Sequence, residues 1–291
     1  MSTYLITGVS RGLGFEFLRQ TSNDPANTVV GIVRNKVATD DKVAAELPNR
    51  KNIHVVQGDM TDYASLKVGQ NNSAHPIGSV PADTQAQKAV DETATITGGA
   101  LDYVIANAAI IGSGSSFDPI SVMAQQPERF EQGLLDTTRA NVIGNVHLFT
   151  LALPLVRRGR AKKVIAISSG MADIELISKF EVADSAIYSV SKAALNAVVA
   201  KFSAEHAKNG VLFMSISPGL VETGQNTEFT PEQMQALGAM LHKFKDYAPH
   251  FNGPTTPELA VGQVLSVIDK ASVEAGDGGS FVSQFGNKQW L

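Results

Sequence analysis

The sequence predicts an α/β fold with a doubly wound parallel sheet of about seven strands and helices on both faces. Short apolar runs rich in β-branched residues alternate with longer helical patterns along the 291 residues. Parallel strands need crossover helices, so this alternation favours a parallel sheet. No linker-like stretch divides the chain, which predicts a single domain over residues 1–291.

The strand predictions rest on runs such as "TYLITG" and "TVVGIVR", which read as strands buried on both faces. The predicted strands are 3–8, 28–34, 53–59, 101–109, 163–169, 211–219 and a last one at 279–285. Between them, helical periodicity predicts helices at 13–21, 83–95, 128–156, 186–208 and 257–270.

Two segments interrupt this regular order. Residues 69–84 are polar and punctuated by Gly and Pro, which indicates a surface insertion. Residues 222–256 follow the sixth strand and contain an amphipathic stretch at 231–247. Ligands of such sheets bind outside the carboxyl ends of the strands, so we expect 222–256 to form a substrate lid whose apolar stripe covers the substrate. The alternative is that the stripe packs against the protein body.

The composition excludes several classes of function. A formal net charge of -4 gives no basis for nucleic-acid or anionic-membrane partners, and no apolar run is long enough to span a membrane. The chain has no cysteine, and its six histidines lack paired spacing, so we expect no metal site. With no targeting pattern at residues 1–14, we expect a cytoplasmic protein.

The stretch "TGVSRGLG" follows the first predicted strand and opens the first helix, with glycines at Gly8, Gly12 and Gly14. Glycine lets a backbone turn tightly and approach a pyrophosphate, which the helix N-terminus then attracts. A tight turn without a ligand is the alternative. The position of the turn in an alternating α/β chain favours a Rossmann dinucleotide site.

The end of the second strand indicates which dinucleotide is bound. NAD sites usually carry an acidic residue there, but this chain has Val33 followed by Arg34, with Arg11 in the glycine loop. Two guanidiniums suit a 2′-phosphate and favour NADP(H); the alternative is that they simply face water. Asp59 and Met60, at the end of the third strand, are candidates to contact the adenine.

Polar residues cluster where later strands end. Ser168 and Ser169 end the fifth strand, and Asn107 ends the fourth. Asn141 lies inside a predicted helix with Gly144 three residues on, which is unfavourable for helix propensity. We therefore suspect a local helix bulge or a functional side chain at Asn141, although a solvent-facing Asn is the simpler alternative.

Tyr188 and Lys192 lie four residues apart in "AIYSVSKAAL", hence on one helix face. Such a pair often arises by chance. In this chain, however, a glycine loop, a strand-end serine and a mid-helix asparagine accompany it.

The chain resembles the short-chain dehydrogenase/reductase family over nearly its full length, and the motifs occur in the order that this family shows. The motifs that carry the resemblance are "TGVSRGLG", "GDMTD", "ANAA", Asn141, "ISS", "YSVSK" and "SPGLVET". Within the family, the chain resembles a carbonyl reductase-like branch that prefers NADP(H). The resemblance implies that the catalytic residues are Asn141, Ser169, Tyr188 and Lys192. It implies cofactor contacts from Gly8, Ser10, Arg11, Gly12, Leu13, Gly14, Arg34, Asn35, Asp59, Met60, Asn107, Ala108, Tyr188, Lys192, Pro218, Gly219, Val221 and Thr223. It also implies a homodimer or homotetramer paired through helices 128–156 and 186–208.

The chain departs from the family pattern in two further places. The usual "NNAG" reads "ANAA", with Ala106 and Ala109 replacing an Asn and a Gly while Asn107 is retained. Eighteen residues separate Ser169 from Tyr188, more than is usual, which we expect to remodel the substrate mouth.

The predicted chemistry is NADPH-dependent reduction of a ketone or aldehyde, with Tyr188 as proton donor. Lys192 is expected to lower the phenol pKa and bind the nicotinamide ribose, Ser169 to hold the substrate oxygen, and Asn141 to hold a water that links Lys192 to solvent. The alternatives are NADP-dependent oxidation of a secondary alcohol and a non-catalytic NADP-sensing regulator. Such regulators commonly lose the Tyr or the Lys, and both are present here.

Overall fold

The structure is a computed structural model that describes residues 1–66, 89–112, 117–224 and 230–291. Its centre is one parallel sheet of seven strands in the order β3-β2-β1-β4-β5-β6-β7. The strands are β1 (Thr3–Thr7), β2 (Thr28–Val33), β3 (Ile53–Gln57), β4 (Tyr103–Ala106), β5 (Lys163–Ile167), β6 (Leu212–Ser217) and β7 (Phe281–Ser283). The strand order reverses between β1 and β4, the position where ligands bind in doubly wound sheets.

Helices cover both faces of the sheet. In chain order they are α1 (Gly12–Thr21), α2 (Lys36–Glu46), α3 (Tyr63–Leu66), α4 (Ala89–Ile96), α5 (Ile120–Met123), α6 (Pro127–Thr138), α7 (Gly144–Arg158), α8 (Ile174–Lys179), α9 (Ala186–His206), α10 (Pro231–Tyr247) and α11 (Pro257–Lys270). A π-helical turn, Arg139–Ile143, joins α6 to α7 without a break.

Two apolar cores lie on opposite faces of the sheet, because the strands alternate their side chains between the faces. On one face, Phe149 of α7 and Leu195 of α9 pack against strand residues such as Phe213. On the other face, Phe17 of α1 and Val264 of α11 do the same. Burial of each such side chain contributes about 1.5–3 kcal/mol, so the two layers hold the strand ends in fixed positions.

The predicted α/β architecture is confirmed, and the predicted strands match the observed ones to within about three residues at each end. The strand predicted at 101–109 was too long, because β4 ends at Ala106 and Asn107 begins a loop. The helix predicted at 83–95 corresponds to α4 in its described part, whereas the insertion predicted at 69–84 lies outside the described residues.

The helix α2 was not predicted, since only Thr39 of its residues is buried and its sequence carries little apolar periodicity. Among the helices of the described ranges, none combines the length and apolar character needed to cross a bilayer. The cytoplasmic location expected from the sequence stays a prediction.

Candidate active site

The glycine loop between β1 and α1 is packed so closely that side chains do not fit. Gly8 and Gly12 have φ values of 74° and 55°, in the left-handed region that favours glycine. A Cβ on Gly14 would lie 2.1 Å from the carbonyl oxygen of Gly8. A backbone held this close to the first turn of α1 leaves an open cradle of the kind a pyrophosphate needs.

A cleft of about 310 Å³ opens above this loop. We call it the glycine-loop cleft. It brings together thirteen of the predicted cofactor residues: Gly8, Ser10, Arg11, Gly12, Leu13, Gly14, Arg34, Asp59, Met60, Asn107, Ala108, Tyr188 and Thr223. Ala109 of "ANAA" lines it as well, together with residues that the sequence pattern did not indicate: Ile32, Gly58, Thr61, Ile110, Ile111 and Ala140.

Five predicted cofactor residues do not line the glycine-loop cleft: Asn35, Lys192, Pro218, Gly219 and Val221. The side chain of Asn35 instead caps α2, where its oxygen accepts a hydrogen bond of 3.1 Å from the amide of Ala38. A local backbone contact of this kind is what Asn commonly makes at a helix start.

The β2 end of the glycine-loop cleft is formed as the sequence indicates. Val33 is buried at the position where an acidic residue would select NAD, while Arg34 and Arg11 are exposed at the rim. The carboxylate of Asp59 accepts two 2.8 Å hydrogen bonds from the amide and hydroxyl of Thr61. These bonds hold the turn after β3, so one oxygen of Asp59 is already engaged.

Asn107 joins the ends of β1 and β4. Its side-chain amide donates to the carbonyl oxygens of Thr7 at 3.0 Å and Gly8 at 3.3 Å. A Cβ on Gly8 would lie 2.9 Å from the Cα of Ala108, so this strand end presses directly on the glycine loop. The change from "NNAG" to "ANAA" therefore leaves the Asn107 bridge in place.

Tyr188 and Lys192 lie in the first turns of α9, and the Lys192 ammonium is 5.7 Å from the centre of the Tyr188 ring. Lys192 is only 2% exposed, and its Nζ donates a 2.7 Å hydrogen bond to the carbonyl oxygen of Ile167 at the end of β5. The predicted pair is thus brought together and fixed to a strand end.

The two serines after β5 have different surroundings. Ser168 is buried and donates to the side-chain oxygen of Asn196 at 2.7 Å, which is a packing contact within the core. Ser169 is hydrogen-bonded to the hydroxyl of Tyr188, and its Oγ also accepts from the amide of Met171 at 3.2 Å. Ser169 is therefore the serine that meets the tyrosine.

Asn141 occupies the π-helical turn, so the predicted helix bulge is confirmed. Its side chain accepts from the amide of Ile110 at 2.9 Å and donates to the carbonyl oxygen of Ile110 at 2.8 Å. It also donates to the hydroxyl of Ser191 at 3.0 Å. Asn141 thus links α9 to the loop after β4, and its predicted hold on a water stays a prediction.

Burial moves the pKa values of Tyr188 and Lys192 in opposite directions. Burial raises the pKa of Tyr188 to about 12, and the hydrogen bond from Ser169 lowers this pKa only in part. Burial also lowers the pKa of Lys192 to about 8. In this structure desolvation dominates the pKa of Tyr188, and the ammonium of Lys192 is hydrogen-bonded to the carbonyl oxygen of Ile167. The expected lowering of the phenol pKa by Lys192 during catalysis stays a prediction.

The segment after β6 lies across from the glycine loop. Gly219 has a φ of 80° and packs against the side chain of Gln284. Thr223 approaches Gly12, since a Cβ on Gly12 would lie 3.3 Å from that of Thr223. Val221 forms a parallel bridge to Thr255, which joins the start of the predicted lid 222–256 to its end.

In the lid, the predicted amphipathic helix is present as α10, begun by a capping box at Thr230. Two residues of its apolar stripe pack on neighbouring segments: Phe244 is buried against Phe251 of the same segment, and Tyr247 packs edge-on against Phe180. The predicted cover of this stripe over a substrate stays a prediction. Across the described ranges, no group of three His, Cys, Asp or Glu side chains is arranged to hold a metal ion.

Comparisons with known proteins agree with this geometry. The family model described as short chain dehydrogenase matches residues 67–234, more than half of the chain. The short chain dehydrogenase virK of Hypocrea virens is 50% identical over 291 residues, which cover 100% of both chains. The carbonyl reductase Sniffer of D. melanogaster has a TM-score of 0.72 at 22% identity, covering 99% of this chain and 98% of its own. The NADPH-bound carbonyl reductase from chicken fatty liver has a TM-score of 0.68 at 19% identity, with coverage of 99% and 98%.

Proposed function

The chain belongs to the short-chain dehydrogenase/reductase family of oxidoreductases, and from this premise we propose that it reduces a ketone or aldehyde with NADPH, using Tyr188 as proton donor. One observation carries the proposal: the Tyr188 hydroxyl meets the Ser169 hydroxyl beside the glycine-loop cleft, with Lys192 one helical turn away. These are the groups that a carbonyl needs when negative charge develops on its oxygen.

The chain offers a suitable place for the dinucleotide. The tight glycine loop would hold the pyrophosphate at the start of α1, and Arg11 and Arg34 would meet the 2′-phosphate at the rim. When bound, NADPH would supply the hydride for the carbonyl carbon. The solved structure of an NADPH-bound carbonyl reductase with the same fold supports this choice of dinucleotide.

The protein groups would manage the oxygen and its proton. Ser169 would hold the substrate oxygen, and Tyr188 would donate its phenolic proton to that oxygen as charge develops. Lys192, held by the Ile167 carbonyl at 2.7 Å, would place a positive charge one turn from the phenolate that forms. Asn141 would keep the start of α9 in register with the loop after β4, through Ser191 and Ile110.

The protonation state favours the reductive direction. With the pKa of Tyr188 raised to about 12 by burial, the phenol is protonated at neutral pH, which is the state that a proton donor needs. Oxidation of a secondary alcohol would start from the phenolate and therefore requires a higher pH. The same residues support both directions, so oxidation is the second candidate.

The decisive experiment is Tyr188→Phe, assayed by loss of NADPH absorbance with a panel of ketones and aldehydes. We expect turnover to fall by about 10²–10⁴-fold while NADPH binding is retained, because only the proton is removed. Tyr103→Phe is the matched control: it removes a phenolic hydroxyl from a ring stacked on Tyr4, at the start of β4 and so at the opposite end of that strand from the glycine loop. Turnover of Tyr188→Phe near wild type would refute the assignment. Tight NADPH binding by a wild-type protein without turnover would instead favour the regulator.

The proposed NADPH preference is tested at the rim. Arg34→Ala should lower the ratio of kcat/KM with NADPH to that with NADH by about 10–100-fold, since a charge-assisted hydrogen bond contributes about 1.5–3 kcal/mol. Lys51→Ala, which removes an exposed cation beyond the glycine-loop cleft, is the control. An unchanged ratio for Arg34→Ala would contradict the proposed phosphate contact.

We also propose that the chain forms a homodimer or homotetramer through α6, α7 and α9. Large apolar side chains are exposed on this layer: Leu135, Ile143 and Val190 are 57%, 45% and 50% exposed. They lie on α6, on the π-helical turn and on α9, which pack on one another, and exposed apolar side chains on neighbouring helices favour an interface between copies. Light scattering should give a multiple of the 30.8 kDa chain mass, and Val190→Glu should shift it toward the monomer. A monomeric wild-type protein would refute this proposal.

A further inference from the structure

Trp290 is the single tryptophan of the chain and is 2% exposed. It lies in residues 287–291, which follow β7 and which we call the tail. Its ring stacks on Phe281 of β7, with ring centres 4.3 Å apart and an interplanar angle of 19°. The sheet therefore fixes one face of the indole.

The indole also contacts the segment that follows the catalytic serine. A Cβ on Gly170 would lie 2.7 Å from the Cβ of Trp290 and 3.0 Å from its Cγ, so Gly170 fits only because it has no side chain. The indole Nε1 donates a 2.7 Å hydrogen bond to Asp173, whose other oxygen caps α8. Trp290 thus contacts Gly170, the residue after Ser169, and Asp173, which caps α8. The helix α8 lies between Ser169 and Tyr188, in the stretch that we expect to remodel the substrate mouth.

The tail also reaches the lid. The main-chain amide of Trp290 donates to the Tyr247 hydroxyl at 3.1 Å, and that hydroxyl donates to the carbonyl oxygen of Lys288 at 3.0 Å. Tyr247 is the last residue of α10 and packs edge-on against Phe180, which follows α8. The residue after Ser169, the start of α8 and the end of α10 therefore all meet at the tail.

We infer that Trp290 is a positioning residue for the proposed reduction: by its contacts with Gly170, Asp173 and Tyr247 it fixes Ser169 relative to α8 and the lid. The inference rests on the proposed function. A core contact that only stabilises the fold would leave the geometry at Ser169 unchanged once the chain has folded. Trp290 instead bears on the backbone immediately after Ser169, where a shift of about 1 Å is enough to cost up to about 100-fold in rate.

The first test uses two substitutions of different severity. Trp290→Phe keeps a ring against Phe281 but removes the donor to Asp173, while Trp290→Ala removes the ring. We expect kcat/KM for the carbonyl substrate to fall about 3-fold and about 100-fold, with the larger loss shared between kcat and KM. NADPH affinity should be unchanged, since Trp290 does not line the glycine-loop cleft.

The control is Phe202→Leu, which disturbs an aromatic cluster with Phe149 and Phe213 at the distant end of α9. It should lower stability while kcat and KM stay at wild-type values. If Trp290→Ala matches this control, being less stable but kinetically unchanged, the inference is overturned while the proposed function stands. A wild-type protein that turns over no carbonyl compound or alcohol overturns both.

The second test approaches the contact from the other side and needs no turnover. Because Trp290 is the only tryptophan, its emission reports this site directly. Gly170→Ala should displace the indole, which would red-shift the emission and increase its quenching by acrylamide, and should lower kcat/KM as Trp290→Ala does. Unchanged emission in a Gly170→Ala protein would show that the two residues are not coupled and would overturn the inference.

Discussion

Replacing Lys192 by Met should make the protein more stable and inactive at the same time. Lys192 is 2% exposed, and its ammonium donates a 2.7 Å hydrogen bond to the carbonyl oxygen of Ile167. Within the described ranges, no ion pair involves Lys192. A buried cation without a carboxylate partner destabilises the fold, whereas Met fills nearly the same volume without a charge.

The size of the effect follows from the pKa. Burial lowers the pKa of Lys192 from 10.5 to about 8, and each unit corresponds to about 1.4 kcal/mol, so burial of the charge costs about 3 kcal/mol at neutral pH. Loss of the donor to Ile167 offsets about 1 kcal/mol of the gain. We therefore expect Lys192→Met to raise the free energy of unfolding by about 2 kcal/mol and the melting temperature by a few degrees.

The difference should also depend on pH with a defined sign. Below pH 8 both the folded and the unfolded states carry the proton, so the full cost is present. Between about 8 and 10.5 the unfolded state binds more protons than the folded state, so the wild-type stability rises with pH. The advantage of Lys192→Met should therefore shrink across this window.

Urea unfolding at about pH 7 and about pH 10, without cofactor, measures both effects. Lys201→Met, which changes an exposed lysine on the same helix, is the control and should leave the stability nearly unchanged. A Lys192→Met protein that is less stable than wild type at pH 7, or whose difference from wild type is the same at pH 10, would refute this reasoning.

Three further predictions concern the rest of the site. Asn141→Ala should lower the free energy of unfolding by about 2–4 kcal/mol, because the backbone amide and carbonyl of Ile110 lose their hydrogen-bond partner. Urea unfolding measures this, and a loss below about 0.5 kcal/mol would contradict it. Gly14→Ala should abolish NADPH binding in a calorimetric titration, since its Cβ would lie 2.1 Å from the carbonyl oxygen of Gly8. Gly238→Ala is the control and should leave binding unchanged, because open space surrounds Gly238. Wild-type affinity for NADPH in Gly14→Ala would count against the glycine-loop cradle. Because burial raises the pKa of Tyr188 to about 12, the rate of alcohol oxidation should keep rising with pH beyond the ordinary tyrosine pKa of about 10. A plateau of that rate near pH 7 would argue against this protonation state.

Features set by local sequence pattern were predictable. The alternation of apolar runs and helical patterns gave the sheet, because a buried parallel strand has to be apolar on both faces. The helix bulge at Asn141 was also predictable, since Asn followed by Gly is unfavourable inside a regular helix. Strand-end residues such as Ser169 and Asn107 followed from the topology, which gathers the carboxyl ends of the strands at one edge.

Features set by tertiary contact were not predictable. The pKa of Tyr188 depends on how much water the folded chain removes, and spacing along a helix does not reveal this. The helix α2 buries little, so no apolar period marks it. Trp290 follows Ser169 by more than 100 residues, and only the folded path of the tail brings the two segments together.

The π-helical turn also limits how this chain can change in length. It fits one extra residue between α6 and α7, and one residue corresponds to about 100° of helix rotation. The wide turn absorbs that residue, so deleting one residue from Arg139–Ile143 would restore a regular α-helix with α7 nearly in place, but it would remove the bulge that presents Asn141 to Ile110 and Ser191. Gly144, whose missing Cβ would lie 2.3 Å from the carbonyl oxygen of Met60, would keep that contact. Natural or engineered variants should thus accept insertions and deletions in exposed loops far more readily than in these five residues, which hold Asn141 in place.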